Sequence, residues 1–241
     1  MRKTRGAIEE PRAKRTSSPA DIAAAIGRDL KRLPVMTTPS VRSVLRRYTK
    51  GLAHDPPETV VAVAKGLLGG GAWPERVIAF ELVASRPDAR RQLRAADYDG
   101  WAEGLADWGS IDLYAVTIAG LAWREGHVSD TQVMKWSRST DRWRRRLALV
   151  ATVPLNSRAR GGSGDTHRTL NICRMLADDR DDMVVKALSW ALRELSKRDP
   201  GSVARFVREE DGRLAARVRR EVTSKLATGL KAPRPRRPKG P

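Results

Sequence analysis

The chain has 241 residues, 40% of them apolar, which is enough to bury one sizeable core or a continuous repeat core. It carries 47 Lys plus Arg against 28 Asp plus Glu, a net charge of +19 that marks a polyanionic partner. One cysteine, Cys173, excludes an intrachain disulfide, the scattered His54, His127 and His167 offer no metal-ligand spacing, and no apolar run approaches the roughly 18 residues of a membrane span.

The opening MRKTRGAIEEPRAKR has charge but no apolar signal core, so a soluble, unsecreted protein is expected. Residues 1–19, with six basic residues and two Glu, read as a disordered basic tail, and 229–241, ending APRPRRPKGP with five basic residues in all, as a second. These ends hold +4 and +5 of the charge and leave +10 on the body, 20–228. Charge in the tails alone therefore does not account for the basic balance.

Along that body, apolar residues recur at helical spacing in 20–33, 39–53, 57–69, 73–85, 88–106, 110–125, 129–138, 141–153, 166–178, 181–198 and 201–228, and no stretch sustains strand alternation. Ser18, Asp21, Ser110, Ser129 and Asp165 stand where N-caps belong, and Pro39, Pro57, Pro74 and Pro200 where helices begin. Helices of this length in pairs, joined by short Gly/Pro turns, predict an all-α fold: an α-solenoid of HEAT-like helix pairs with a basic concave groove. The repeat is degenerate and has no quotable consensus.

Three segments carry chemistry. In DWGSIDLYA, Trp108 precedes Asp112 by four residues, separated from it by what reads as a Gly–Ser turn and cap. In RWRRRLALV, Trp143 continues the apolar stripe of Leu147 and Val150, while Arg142, Arg144, Arg145 and Arg146 spread over most of a turn. In DDMVVKALSWALRELSK, Val185, Leu188, Leu192 and Leu195 form a core stripe, and Lys186, Trp190, Arg193 and Lys197 a second stripe suited to phosphates and a stacked base or sugar. The same pattern is also that of a half-buried tryptophan with a solvated cationic rim. Between the second and third segments, NSRARGGSGDTH reads as a mobile surface loop, Cys173 as a buried core residue, and DDRDD at 178–182 as a capped helix junction.

Those segments together resemble the bacterial DNA alkylation repair enzymes of the AlkD-like type, HEAT-repeat DNA glycosylases. The likeness spans about residues 20–228 and is most specific in VVKALSWALRELSKRDPGSVARFV, weaker in WRRRLALVA, and moderate in the Trp-x-x-x-Asp of WGSID. It implies Trp108 and Trp190 as aromatic walls of a cleft, Asp112 as the catalytic carboxylate and Arg146 as a phosphate contact. Arg145, Lys186 and Arg193 are then expected to bind DNA with it.

The activity implied is excision of cationic N-alkylpurines, of the 3-methyladenine and 7-methylguanine type, from double-stranded DNA. No cofactor or metal is called for, and a cytoplasmic, nucleoid-associated monomer is expected. A non-catalytic solenoid that only binds DNA is the alternative, and the pair Trp108 and Asp112 distinguishes the two.

Overall fold

The computed structural model describes residues 17–232, and all regular elements among them are helical. In chain order these are α1 (Pro19–Lys31), α2 (Thr38–Gly51), α3 (Pro57–Leu68), α4 (Trp73–Ala84), and the short α5 (Pro87–Arg90) and α6 (Ala95–Gly100). Next come α7 (Trp108–Tyr114), a π segment (Ala115–Ala119) and α8 (Gly120–Arg124), one continuous rod, followed by α9 (Asp130–Ser137), α10 (Arg142–Val150) and the single turn α11 (Val153–Asn156). The chain finishes with α12 (Thr166–Met175), α13 (Asp182–Leu195), α14 (Pro200–Glu209) and α15 (Ala216–Thr228).

The helix starts are chemically explicit. Ser18 and Asp21 cap each other's end of α1 in a reciprocal box, Ser129 accepts from Gln132 at the start of α9, and Asp165 accepts from Arg168 at the start of α12. Pro39, Pro57, Pro74 and Pro200 sit in first turns, where their missing N–H removes nothing from the ladder. Ser18 and Pro19 thus belong to the folded body, which begins slightly before the expected boundary at 20. The rest of the two tails, 1–16 and 233–241, lies outside the described residues.

Three expected helices divide differently. The region 88–106 yields only α5, α6 and turns, and 201–228 breaks between α14 and α15 at 210–215. The rod expected at 110–125 starts instead at Trp108, because Asp107 and not Ser110 is its cap: the Asp107 carboxylate accepts the Ser110 N–H at 2.8 Å, and Ser110 is buried inside the first turn.

Helices α2, α4, α7, α10, α13 and α15 pack one against the next as a row, and α9, α12 and α14 form part of a second row behind it. This two-layer stack of helix pairs is an α-solenoid. Its apolar core is continuous from Ile26 to Val222, with Leu188, Leu192 and Leu195 of α13 in it as the periodicity predicts. Cys173 is fully buried, which pushes its thiol well above the usual range. The rod α7 to α8 crosses the turn after α10 closely at Gly120, where a Cβ would lie 2.5 Å from the Ala151 carbonyl oxygen. No helix among the described residues is long and apolar enough to cross a membrane.

Candidate functional site

Three consecutive helices of the first row each turn one line of side chains, at i, i+4 and i+8, toward the same space. From α2 the line is Thr38, Arg42, Arg46 and Lys50; from α4 it is Trp73, Val77 and Glu81; from the rod it is Trp108, Asp112 and Val116. Thr38, Arg42, Trp73, Glu81, Trp108 and Asp112 line a cavity of about 490 Å³. A neighbouring cavity of about 850 Å³ shares Arg42, Glu81 and Leu113 with it and adds Arg46, Lys50 and Arg160.

Because the helix runs unbroken through Gly109 and Ser110, Trp108 and Asp112 stand one turn apart on one face. The Gly–Ser turn expected between them is absent, so nothing turns the carboxylate away from the tryptophan. Trp108 is 62% exposed and is the one exposed tryptophan among the seven. Trp101, Trp123 and Trp136 are core residues, and the N–H groups of the last two donate to Asp130 and Asp99. Trp73, Trp143 and Trp190 are half-buried against the core. An apolar ring left in water beside a cavity is where a ligand is to be sought.

Asp112 is mostly buried and is gripped by Arg146 from α10. Nε donates to Oδ1 at 2.8 Å and Nη2 to Oδ2 at 2.7 Å, a parallel fork. The third guanidinium nitrogen, Nη1, donates to the Met183 carbonyl in the first turn of α13. Burial raises the Asp112 carboxyl above the usual aspartate range, and the hydrogen bonds and charge of Arg146 pull it part of the way back. A mostly buried carboxylate whose pKa burial raises and one neighbouring cation draws back is chemically a poised group.

Arg146, expected as a phosphate contact, is placed by the structure inside the protein and not on an open face. At 5% exposure, its three guanidinium nitrogens are all engaged, two with Asp112 and one with the Met183 carbonyl. Arg145 is held within the protein: its Nε pairs with Asp179 at 2.6 Å and its Nη1 donates to the carbonyls of Ser139 and Thr140, so it pins the turn before α10. Arg193 donates to Ser189 and lies 3.8 Å from Glu221, bound into the α13–α15 contact. Lys186 forms a 2.7 Å pair with the exposed Asp182 one turn back, a contact weak enough in water to yield to another anion. Trp190 stands on α13 two turns beyond Met183 and does not line either cavity described above.

What the residue patterns did not single out is the α2 and α4 side of the site. Its signal was present: Arg42, Arg46 and Lys50 repeat every four residues, as do Trp73, Val77 and Glu81, but a cationic line on an amphipathic helix is equally the look of a solvated face. The loop 156–165 also departs from expectation. It is not loose but tied down, by Arg124 to the carbonyls of Pro154 and Arg160, by Arg198 to those of Asn156 and Gly162, and by Asn156 Oδ1 to the N–H of Asp165.

The chain matches the family described as DNA alkylation repair enzyme over residues 10–226, nearly its whole length. It belongs to that family. No curated protein matches it. Membership in a DNA alkylation repair family implies a DNA substrate. No group of three or more His, Cys, Asp or Glu able to hold a metal occurs among the described residues.

Proposed function

We propose that this DNA alkylation repair enzyme is a glycosylase that hydrolyses the N-glycosidic bond of cationic N-alkylpurines in duplex DNA. The observation that carries the reading is Asp112, held in a two-point fork by Arg146 and placed one helical turn from the exposed face of Trp108, at the wall of a cavity continuous with a basic groove.

Alkylation at a ring nitrogen leaves the purine positively charged, so the bond from C1′ to the base is already polarised. When it breaks, the bonding pair stays with the base, which departs neutral without needing an acid. Positive charge then passes to the sugar. Asp112 faces the cavity while Arg146 stands behind it, outside the cavity lining, so the carboxylate is the nearer charge to a sugar lodged against Trp108. At ~4 Å and an effective dielectric of ~20 that attraction is about 4 kcal/mol, on the order of a thousandfold in rate if it acts in the transition state. The ring face of Trp108 adds about 1 kcal/mol toward the same charge. Water adds its oxygen to C1′, and its proton passes to Asp112 or to solvent, leaving an abasic site.

Trp190 and Lys186, on the next helix of the row but one, are assigned to the flanking DNA, together with the tandem cations of α2. The protein acts as a monomer on cytoplasmic, nucleoid DNA in this reading. The test is single-turnover release of 7-methylguanine or 3-methyladenine from a defined duplex, with abasic sites revealed by alkali. Release of a cationic base, but not of the neutral lesion uracil, is the expected result; a wild-type protein that binds duplex and releases neither is a binder without this chemistry.

A further inference from the structure

The loop between α11 and α12 is built with more care than a connection requires. Arg124 and Arg198 reach it from either side and spend their donors on its main-chain carbonyls, not on acids. Asn156, fully buried, donates to the Thr152 carbonyl and the Thr169 hydroxyl and accepts from Asp165 N–H, closing the base of the loop. Gly162 is buried so tightly that a Cβ there would lie 2.4 Å from the Pro154 carbonyl oxygen. Two cations are left on the outside of this fixed turn, Arg158 and Arg160, and both are exposed.

Arg160 enters the larger groove cavity. Its Nη1 touches the Val116 carbonyl at 3.2 Å, one turn beyond Asp112 on the same rod, and its neighbours across the groove are Arg46 and Lys50 of α2. Among the described residues none of Arg46, Lys50 and Arg160 makes an ion pair, and Glu81, the acid in that cavity, is already bound to Arg42. Three unneutralised cations brought together from segments more than a hundred residues apart repel one another, and the arrangement costs free energy unless an anion joins them.

We propose that the 157–162 loop is a phosphate seat: it holds Arg160 against the rod so that Arg160, with Arg46 and Lys50, grips one backbone phosphate of the duplex beside the Trp108 cleft. This gives the open face the phosphate contact expected of Arg146, which is buried, and it rests on duplex DNA lying along this face. The loop contributes position and Arg160 the charge.

The test uses the full chain and a duplex probe. Arg160→Ala removes the side chain and its bond to the Val116 carbonyl but leaves the ties from Arg124 and Arg198, so the fold and the melting temperature stay close to wild type. Its affinity for undamaged duplex is expected to fall about three- to tenfold and the slope of log affinity against log salt to drop by about 0.9. Gly162→Ala, which must displace the loop while keeping Arg160, is expected to weaken binding in the same direction, with no further loss when combined with Arg160→Ala. A set of duplexes, each with one uncharged methylphosphonate, locates the contact: at one position wild-type affinity drops and the Arg160→Ala affinity does not. Wild type that binds and excises normally while Arg160→Ala matches it in affinity, slope and every methylphosphonate duplex overturns the seat and leaves the glycosylase reading standing. Wild type that binds no duplex at all overturns both.

Discussion

Arg146 and Asp112, 34 positions apart and on different helices, meet through two parallel hydrogen bonds of 2.8 and 2.7 Å, and the arginine also ties this pair to the main chain of α13. The carboxylate is thereby fixed in place by a residue that does not itself line the cavity. Asp112→Asn keeps the shape and one of the two bonds of the fork, the other acceptor becoming an amide donor, so the variant is expected to fold with some loss of stability and to bind duplex at least as tightly, having lost a negative charge that faces a polyanion. Excision of 7-methylguanine is expected to fall at least tenfold in single turnover. Equal rates for variant and wild type mean that Asp112 does not act on the sugar.

The titration of that pair gives a prediction with a definite sign. Burial raises the Asp112 pKa above the usual value of 3.8, and Arg146 opposes the rise. Excision needs the ionised form, so its acid limb is expected at a pH higher than an ordinary aspartate would give. Arg146→Met takes away the opposing influence and moves the limb further up, so at the foot of the wild-type limb the variant is less active and recovers in part as the pH is raised. A variant that is merely misfolded shows no such recovery, and a pH–rate profile alongside circular dichroism separates the two.

The two tryptophans that the family likeness implies as cleft walls differ in exposure, and so should their variants. Trp108 is exposed, so Trp108→Ala is expected to shift stability by no more than about 0.5 kcal/mol while slowing excision on the order of fivefold. Trp190 is half-buried against the core, so Trp190→Ala is expected to cost about 2 kcal/mol in chemical unfolding. A stability loss at Trp108 equal to that at Trp190 contradicts the assignment of Trp108 to the open face.

The helices and their pairing into a solenoid were legible in the sequence, because a core stripe leaves a periodic trace, whereas Trp108, Asp112 and Arg146 stood out only through the likeness to a family. The start of the rod was misread since Asp107 and Ser110 are both competent caps, and only the fold decides between them by burying Ser110. Arg145 and Arg146 are adjacent and chemically identical; their partners, Asp179 and Asp112, lie 34 residues away in opposite directions. The same holds for the loop, which is ordered by Arg124 and Arg198 from two other elements, so nothing local distinguishes NSRARGGSGDTH from a slack connection.

Glu81 lies in the same cavity as Asp112, and its bond to Arg42 leads to the last prediction. Both its oxygens accept from Arg42 Nε, at 2.9 and 3.1 Å, and Glu81 is largely buried while Arg42 is half exposed. Arg42 thus stands at the junction of the two cavities with its charge already shared, and an incoming phosphate must compete with Glu81 for it. Glu81→Gln removes the competitor and one negative charge facing DNA. Duplex affinity is expected to rise several-fold and the salt dependence to steepen by up to about one phosphate, whereas Arg42→Ala changes both in the opposite direction. Fluorescence anisotropy across a salt series measures the two quantities, and single-turnover release on the same duplex gives the third. Excision by Glu81→Gln at the wild-type rate confines Glu81 to restraining Arg42. A rate that collapses while binding tightens makes Glu81 a second working carboxylate of the cleft, and unchanged affinity and slope remove Arg42 from the DNA-binding line.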